Sequence, residues 1–264
     1  MNKFHTAMAL LALAGSASIA VADGEEEEEA HADIAVLIDP AGNLVTGTID
    51  FDEQEFTGFT RVYESEFVRT ARPDLGVGIE SGNTDEPGFN GVRDGNLTLP
   101  AGYSNIGAGL DLSFSVNTLD IDGTSANLWY WDGSGAVNFA PATTTLDVSR
   151  GGGALNTSLD GSASAVPGFN IFTSEADGYI HQHLDLELAN TQGIADGFFL
   201  WSFVVETSDG KAADPIFFVH GLGEPGEELH EEAVDWVNFN LVPAPGAAVF
   251  AFAGVGALVR RRRA

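Results

Sequence analysis

The stretch Tyr179-Ile180-His181-Gln182-His183-Leu184-Asp185-Leu186-Glu187-Leu188 alternates apolar and polar side chains over most of its length. Successive side chains of an extended chain point to opposite faces, so it reads as a half-buried strand. Ile180, Leu184, Leu186 and Leu188 would face a core, and His181, His183, Asp185 and Glu187 would share the other face. Outward from it, Ala35 to Ile38, Phe59 to Tyr63, Leu110 to Val116, Ala126 to Trp131, Phe198 to Thr207 and Pro215 to His220 are short and rich in β-branched or aromatic residues. Gly, Asn, Asp and Pro separate them. Thr207-Ser208-Asp209-Gly210-Lys211 and Trp131-Asp132-Gly133-Ser134-Gly135 carry turn chemistry. Gly151-Gly152-Gly153 is a loop where a boundary could fall. No long segment keeps a helical period, and the expected fold class is all-β, an antiparallel β-sandwich or jelly-roll-like domain.

The 264 residues hold 39 acidic and 11 basic side chains, a net charge of −28, with no cysteine. That charge argues against nucleic acid or anionic lipid as partners and favours divalent cations. Without thiols there are no disulfides, and any transition metal must be held by His and carboxylate.

Residues two apart on a strand lie about 6.5 Å from each other, close enough for two imidazoles to lean onto one ion through bonds of about 2 Å. His181-x-His183 is therefore the candidate chelate, with Asp185 or Glu187 and one further group, His31 or His220, completing a mixed nitrogen and oxygen shell. The expected ion is Zn2+ or another divalent cation. Histidine is scarce, with six in the chain. His31 is followed by Asp33 at the same spacing, and His220 ends an apolar strand, where it would sit at a sheet edge. His230 lies among Glu227, Glu228, Glu231 and Glu232 and reads as part of a solvated acidic loop.

The two ends read as targeting segments. Ala7 to Ile19 is an apolar run behind Lys3, and Ala20-Val21-Ala22 offers a signal-peptidase site, giving a signal peptide over 1–22. A solvated acidic leader spans 23–30 and the β-domain 31–240. At the other end come Val242-Pro243-Ala244-Pro245-Gly246, an apolar run to Val259, then Arg260, Arg261, Arg262 and Arg263. Together with Leu241 and Val242 the run approaches the roughly 17 residues a membrane helix needs, and the arginines would stay on the cytoplasmic side. Residues 241–264 resemble the PEP-CTERM sorting signal in its Val-Pro-Ala-Pro-Gly form. That resemblance implies an exosortase-type enzyme as partner, beside the signal peptidase that the N-terminus calls for, with a transient or permanent membrane anchor and export to the cell surface or extracellular matrix.

Five short blocks carry a narrower resemblance: His31-Ala32-Asp33-Ile34-Ala35-Val36, Leu44-Val45-Thr46-Gly47, Asp85-Glu86-Pro87-Gly88-Phe89, Trp129-Tyr130-Trp131-Asp132-Gly133 and His181-x-His183. In this order they resemble the all3515-type Zur-repressed PEP-CTERM proteins, which implies production under zinc starvation and a role in zinc handling.

Enzymatic patterns are fragmentary. His181-x-His183-x3-Glu187 overlaps the metal motif of the cupins, but Gly178 is too close and Gly193 one residue early. His230-Glu231-Glu232 begins like a zincin and lacks the second His. Asp120-Ile121-Asp122-Gly123 lacks the remaining oxygens of a calcium loop. No nucleophile elbow or P-loop is present. Trp129, Tyr130 and Trp131 read as core and rim packing rather than a sugar platform. The expectation is thus an exported, non-enzymatic surface protein with a His/carboxylate metal site. The alternatives are a structural or adhesive protein without a metal role, and a cupin-like metalloenzyme.

Overall fold

The structure, a computed structural model, describes residues 32–50, 55–93, 98–223 and 225–243. Two sheets face each other across one core. The smaller runs in the order His181–Gln182, Phe89–Asn90, Ala32–Ile38, Leu44–Asp50, Glu55–Gly58, with Ser104–Asn105 also on Ala32–Ile38. Phe89–Asn90 lies parallel to Ala32–Ile38, with Ile34 opposite Phe89 and Ala35 opposite Asn90. Among the described residues the larger sheet has eleven strands, and it is built around Gly197–Thr207 and Ile216–Leu222. The Thr207 to Lys211 turn joins these two, with the Gly210 N–H on the Thr207 carbonyl at 2.8 Å.

Alternation builds the core. Phe199, Trp201, Phe203 and Val205 point with Ile216, Phe218 and Leu222 toward Ile34, Val36 and Phe89 of the facing sheet and toward Ile180 just before its His181–Gln182 strand. The odd-numbered face of Gly197–Thr207 is thus inside the sandwich. The even face of its first half is buried as well, because Phe198 and Leu200 pack with Phe217 and Val219 of the neighbouring strand under a helix. Burial on both faces is why these strands are continuous apolar runs. Each fully buried large side chain here contributes about 1.5–3 kcal/mol relative to exposure.

That helix, Glu227–Asn240, corrects the all-β expectation. His230, Ala233 and Val237 are its buried residues, a spacing of three and four that makes one stripe. Glu227 and Glu228 in its first turn complement the positive end of the dipole. The Leu241 N–H closes it on the Val237 carbonyl at 2.9 Å, and Pro243 follows. The sequence hid the helix because its stripe is narrow and four of its side chains are glutamates. The same helix removes His230 from the solvated loop expected for it.

The expected sorting helix is corrected too. Among the described residues no helix is long and apolar enough to cross a membrane. Leu241 and Val242, counted as part of the apolar span, instead pack against the core under the helix. The rest of the apolar run, Gly246 to Val259, lies outside the described residues. The expected membrane anchor, and the surface localisation built on it, thus have no helix among the described residues to carry them. Ala244, Pro245, Gly246 and Arg260 to Arg263 lie outside the described residues, as do the expected signal peptide, the acidic leader and His31.

Other sequence expectations shift locally. Gly151 to Gly153 join Leu146–Arg150 to its hairpin partner Leu155–Leu159, so they make a turn within the large sheet. Ile216–Leu222 is an interior strand, paired on one side with Gly197–Thr207 and on the other with Val62–Ala71, so His220 is not at an edge. Trp129 and Trp131 are buried.

The stretch that suggested the strand breaks in its middle. His181–Gln182 pairs with Phe89–Asn90 in the small sheet, whereas Asp185–Leu188 pairs with Leu146–Arg150 and Glu80–Thr84 in the large one. The chain crosses from sheet to sheet at His183 and Leu184. Ile180, Leu184, Leu186 and Leu188 are all buried on either side of the crossing.

Candidate metal centre

Crossing between sheets sets the composition of the site. His181, on the small sheet, lies opposite Asn90, and one strand further on stands Asp33. Asp33, His181 and His183 each offer a ligand atom, and these atoms all lie within 4.8 Å of one another. Asp33 is 3 % exposed. Its Oδ1 accepts the Gly88 N–H at 2.8 Å and its Oδ2 accepts from Asn90 Nδ2 at 2.9 Å. Those bonds stabilise the buried carboxylate.

His183 is oriented from behind. Its Nδ1–H donates to the Asp85 carbonyl at 3.0 Å, and Glu86 Oε1 stands 3.6 Å from the same nitrogen. The tautomer this selects leaves the Nε2 lone pair available, with Nε2 4.0 Å from Asp33 Oδ2. Two donors bound at about 2.1 Å in a tetrahedral shell sit about 3.4 Å apart, so a movement of under an ångström closes this pair onto an ion. Gly88 makes the approach feasible, since a Cβ there would lie 2.7 Å from His183 Nε2 and 2.9 Å from Asp33 Oδ1. His181 is the exposed member and has room to adjust. Its Nδ1 accepts from Asn90 Nδ2 at 2.8 Å, and its ring centroid is 5.2 Å from that of His183.

The cluster can therefore coordinate a divalent cation such as Zn2+ through two imidazoles and one carboxylate. A charge of −28 raises the local concentration of any such cation.

The remaining expected ligands are elsewhere. Asp185 and Glu187 belong to the large sheet, where Glu187 pairs with Arg72. His220 is fully buried, with Nδ1 2.6 Å from Ser65 Oγ and its ring beside Phe67, Phe218 and Trp201. Burial, and after it the charge of His230, push its imidazole down to about 3. His230 donates from Nε2 to the Val219 carbonyl at 3.0 Å. Asp33 was the ligand the period-two reading missed. Its signal was a lone charge inside the apolar run Ala32 to Ile38, a pattern that demands a buried partner.

Compared with family models, curated proteins and solved structures, the chain matches none. With no family match and no membrane helix among the described residues, nothing here carries the expected exosortase and signal-peptidase partnership or the exported, matrix-associated assignment. The expectation of a protein without enzymatic capacity is corrected as well. Two imidazoles and a carboxylate on an accessible rim leave coordination positions free, which is the composition of catalytic rather than closed structural sites.

Proposed function

We propose that this chain is a divalent-metal protein whose Asp33, His181 and His183 form a mononuclear centre open to exogenous ligands, akin to that of a cupin-like metalloenzyme. The observation that carries the reading is the buried Asp33 carboxylate, fixed at both oxygens and facing a His183 whose tautomer is set by Asp85. An ion held this way acts as a Lewis acid and lowers the pKa of a bound water, while the protein supplies orientation through Gly88, Asn90 and Asp85. Zinc is the first ion to test. Three of the five blocks whose resemblance implies zinc handling contribute Asp33, the Asp85 to Gly88 segment and the histidine pair.

Equilibrium dialysis of the full chain against Zn2+ and Co2+, followed by elemental analysis, tests the centre. One tightly held ion per chain is expected, lost in His183→Ala. Azide added to the Co2+ form should then change its visible spectrum, because an open position accepts an anion. Failure to retain a stoichiometric ion rejects the centre, and a Co2+ spectrum indifferent to azide rejects its openness.

A further inference from the structure

The side chain between the two ligand strands has a hydrogen-bonding pattern that hydrogen bonding alone leaves incomplete. Asn90 is fully buried, and its Nδ2 lies 2.9 Å from Asp33 Oδ2 and 2.8 Å from His181 Nδ1. Both amide hydrogens are spent on two atoms that a metal ion needs. Its other end, Oδ1, is buried and accepts no hydrogen bond among the described residues. Resting on the metal centre proposed above, we propose that Asn90 is a fourth protein ligand, its Oδ1 turning into the cluster when a divalent ion binds.

The spacing supports this. Adjacent ligands of an ion with bonds of about 2.1 Å are about 3.4 Å apart in a tetrahedral shell and about 3.0 Å apart in a six-coordinate one; both distances made by the Asn90 amide end match the expanded shell, which keeps positions free beside four protein ligands. The amide nitrogen stands where a ligand atom would stand, with the wrong polarity. An ion drawing on Asp33 Oδ2 and His181 Nδ1 displaces the N–H groups and repels them, and Asn90 has nowhere to retreat. Its backbone is held between two strands, opposite Ala35 on one side and His181 on the other. A half-turn about the Cβ–Cγ bond exchanges nitrogen for oxygen at nearly the same position. The carbonyl then gains the partner it lacks, and the ion–carbonyl bond offsets the two amide hydrogen bonds given up. Asn90 thereby works in both states, bridging the ligands when no ion is bound and joining them when one is.

The test is Zn2+ affinity of the full chain, measured by competition with a chelator, for wild type, Asn90→Ala, Asn90→Asp and His183→Ala. Removal of the ligand should weaken binding roughly 10-fold to 100-fold in Asn90→Ala. Asn90→Asp, which presents oxygen in either orientation, should recover wild-type affinity or exceed it. Zinc bound by Asn90→Ala as tightly as by wild type, or more tightly, while His183→Ala has lost it, overturns the ligand role and leaves the centre intact. A wild-type chain that binds no zinc overturns both. Should the variants not fold, the wild-type protein still decides. Its Asn90 side-chain carbonyl 13C resonance must shift in step with one equivalent of Zn2+, and a resonance that stays in place removes Asn90 from the shell.

Discussion

Gly88 lies so close beneath the His183 ring that a Cβ on it would stand 2.7 Å from Nε2, inside any normal contact. Gly88 shows no positive φ, so alanine fits its backbone and the effect of a methyl group is confined to space. Gly88→Ala should therefore push His183 away from Asp33 while the sheets stay folded. We expect at least a roughly tenfold loss of Zn2+ affinity with an unchanged far-ultraviolet spectrum, and a stability cost of about 1–3 kcal/mol from overpacking. Zinc affinity equal to that of wild type would place the ion away from His183.

Asp185 and Glu187 provide the opposite expectation. Both lie past the crossing point, and Glu187 is engaged by Arg72 on the large sheet. Asp185→Asn and Glu187→Gln should leave Zn2+ affinity within a factor of about two, because both lie on the large sheet, past the crossing from the cluster. Losing the partly exposed, solvent-screened Arg72–Glu187 pair should leave the urea unfolding midpoint close to that of wild type. A tenfold loss of zinc affinity in either variant would return them to the shell.

The contrast between these residues shows where sequence reading works. Apolar alternation correctly marked Ile180, Leu184, Leu186 and Leu188 as core, because both halves of the broken strand bury the same parity. Polar parity did not carry across the break, because each half lies in a different sheet and its outward side chains meet different neighbours. Nothing local to Tyr179–Leu188 encodes that crossing; it follows from pairings with Phe89–Asn90 and Leu146–Arg150, far away in sequence. The H-x-H spacing drew attention to His181 and His183 through residue type alone. Asp33 and Asn90 are brought beside them by strand pairing, which a period count cannot supply.

Phe203 is the junction of the sandwich. It is fully buried, and its ring centroid lies 5.8 Å from Phe89, 5.3 Å from Phe114, 5.2 Å from Trp201 and 5.0 Å from Phe218. Phe203→Ala removes contacts with both sheets at once and leaves a cavity. The expected loss is about 3–5 kcal/mol in urea unfolding of the zinc-free chain. A loss below about 1 kcal/mol would mean that the two sheets are not joined through this ring.

His220 predicts how stability responds to acid. Ser65 Oγ donates to the Glu86 carbonyl at 2.9 Å, so the His220 Nδ1–H must donate to Ser65 Oγ, leaving Nε2 buried and without a hydrogen-bond partner among the described residues. Protonation would put a second N–H and a full charge into a pocket of Phe67, Phe218 and Trp201. Burial first, and the nearby His230 second, thus hold the folded-state value at about 3. In the unfolded chain the same imidazole titrates near 6.5. Between these two values the unfolded state binds a proton that the folded state refuses, so stability falls as pH drops. Above about 6.5 neither state is protonated and His220 has no effect. Within the window each pH unit costs about 1.4 kcal/mol. Carboxylates also titrate toward the acid end, so the informative quantity is the difference between wild type and His220→Gln, unfolded in urea at several values between pH 4 and 7. The wild-type curve should fall more steeply with acidification by about one proton's worth of slope. Parallel curves would show that His220 takes up its proton in the folded protein, and that the aromatic pocket opens to admit it.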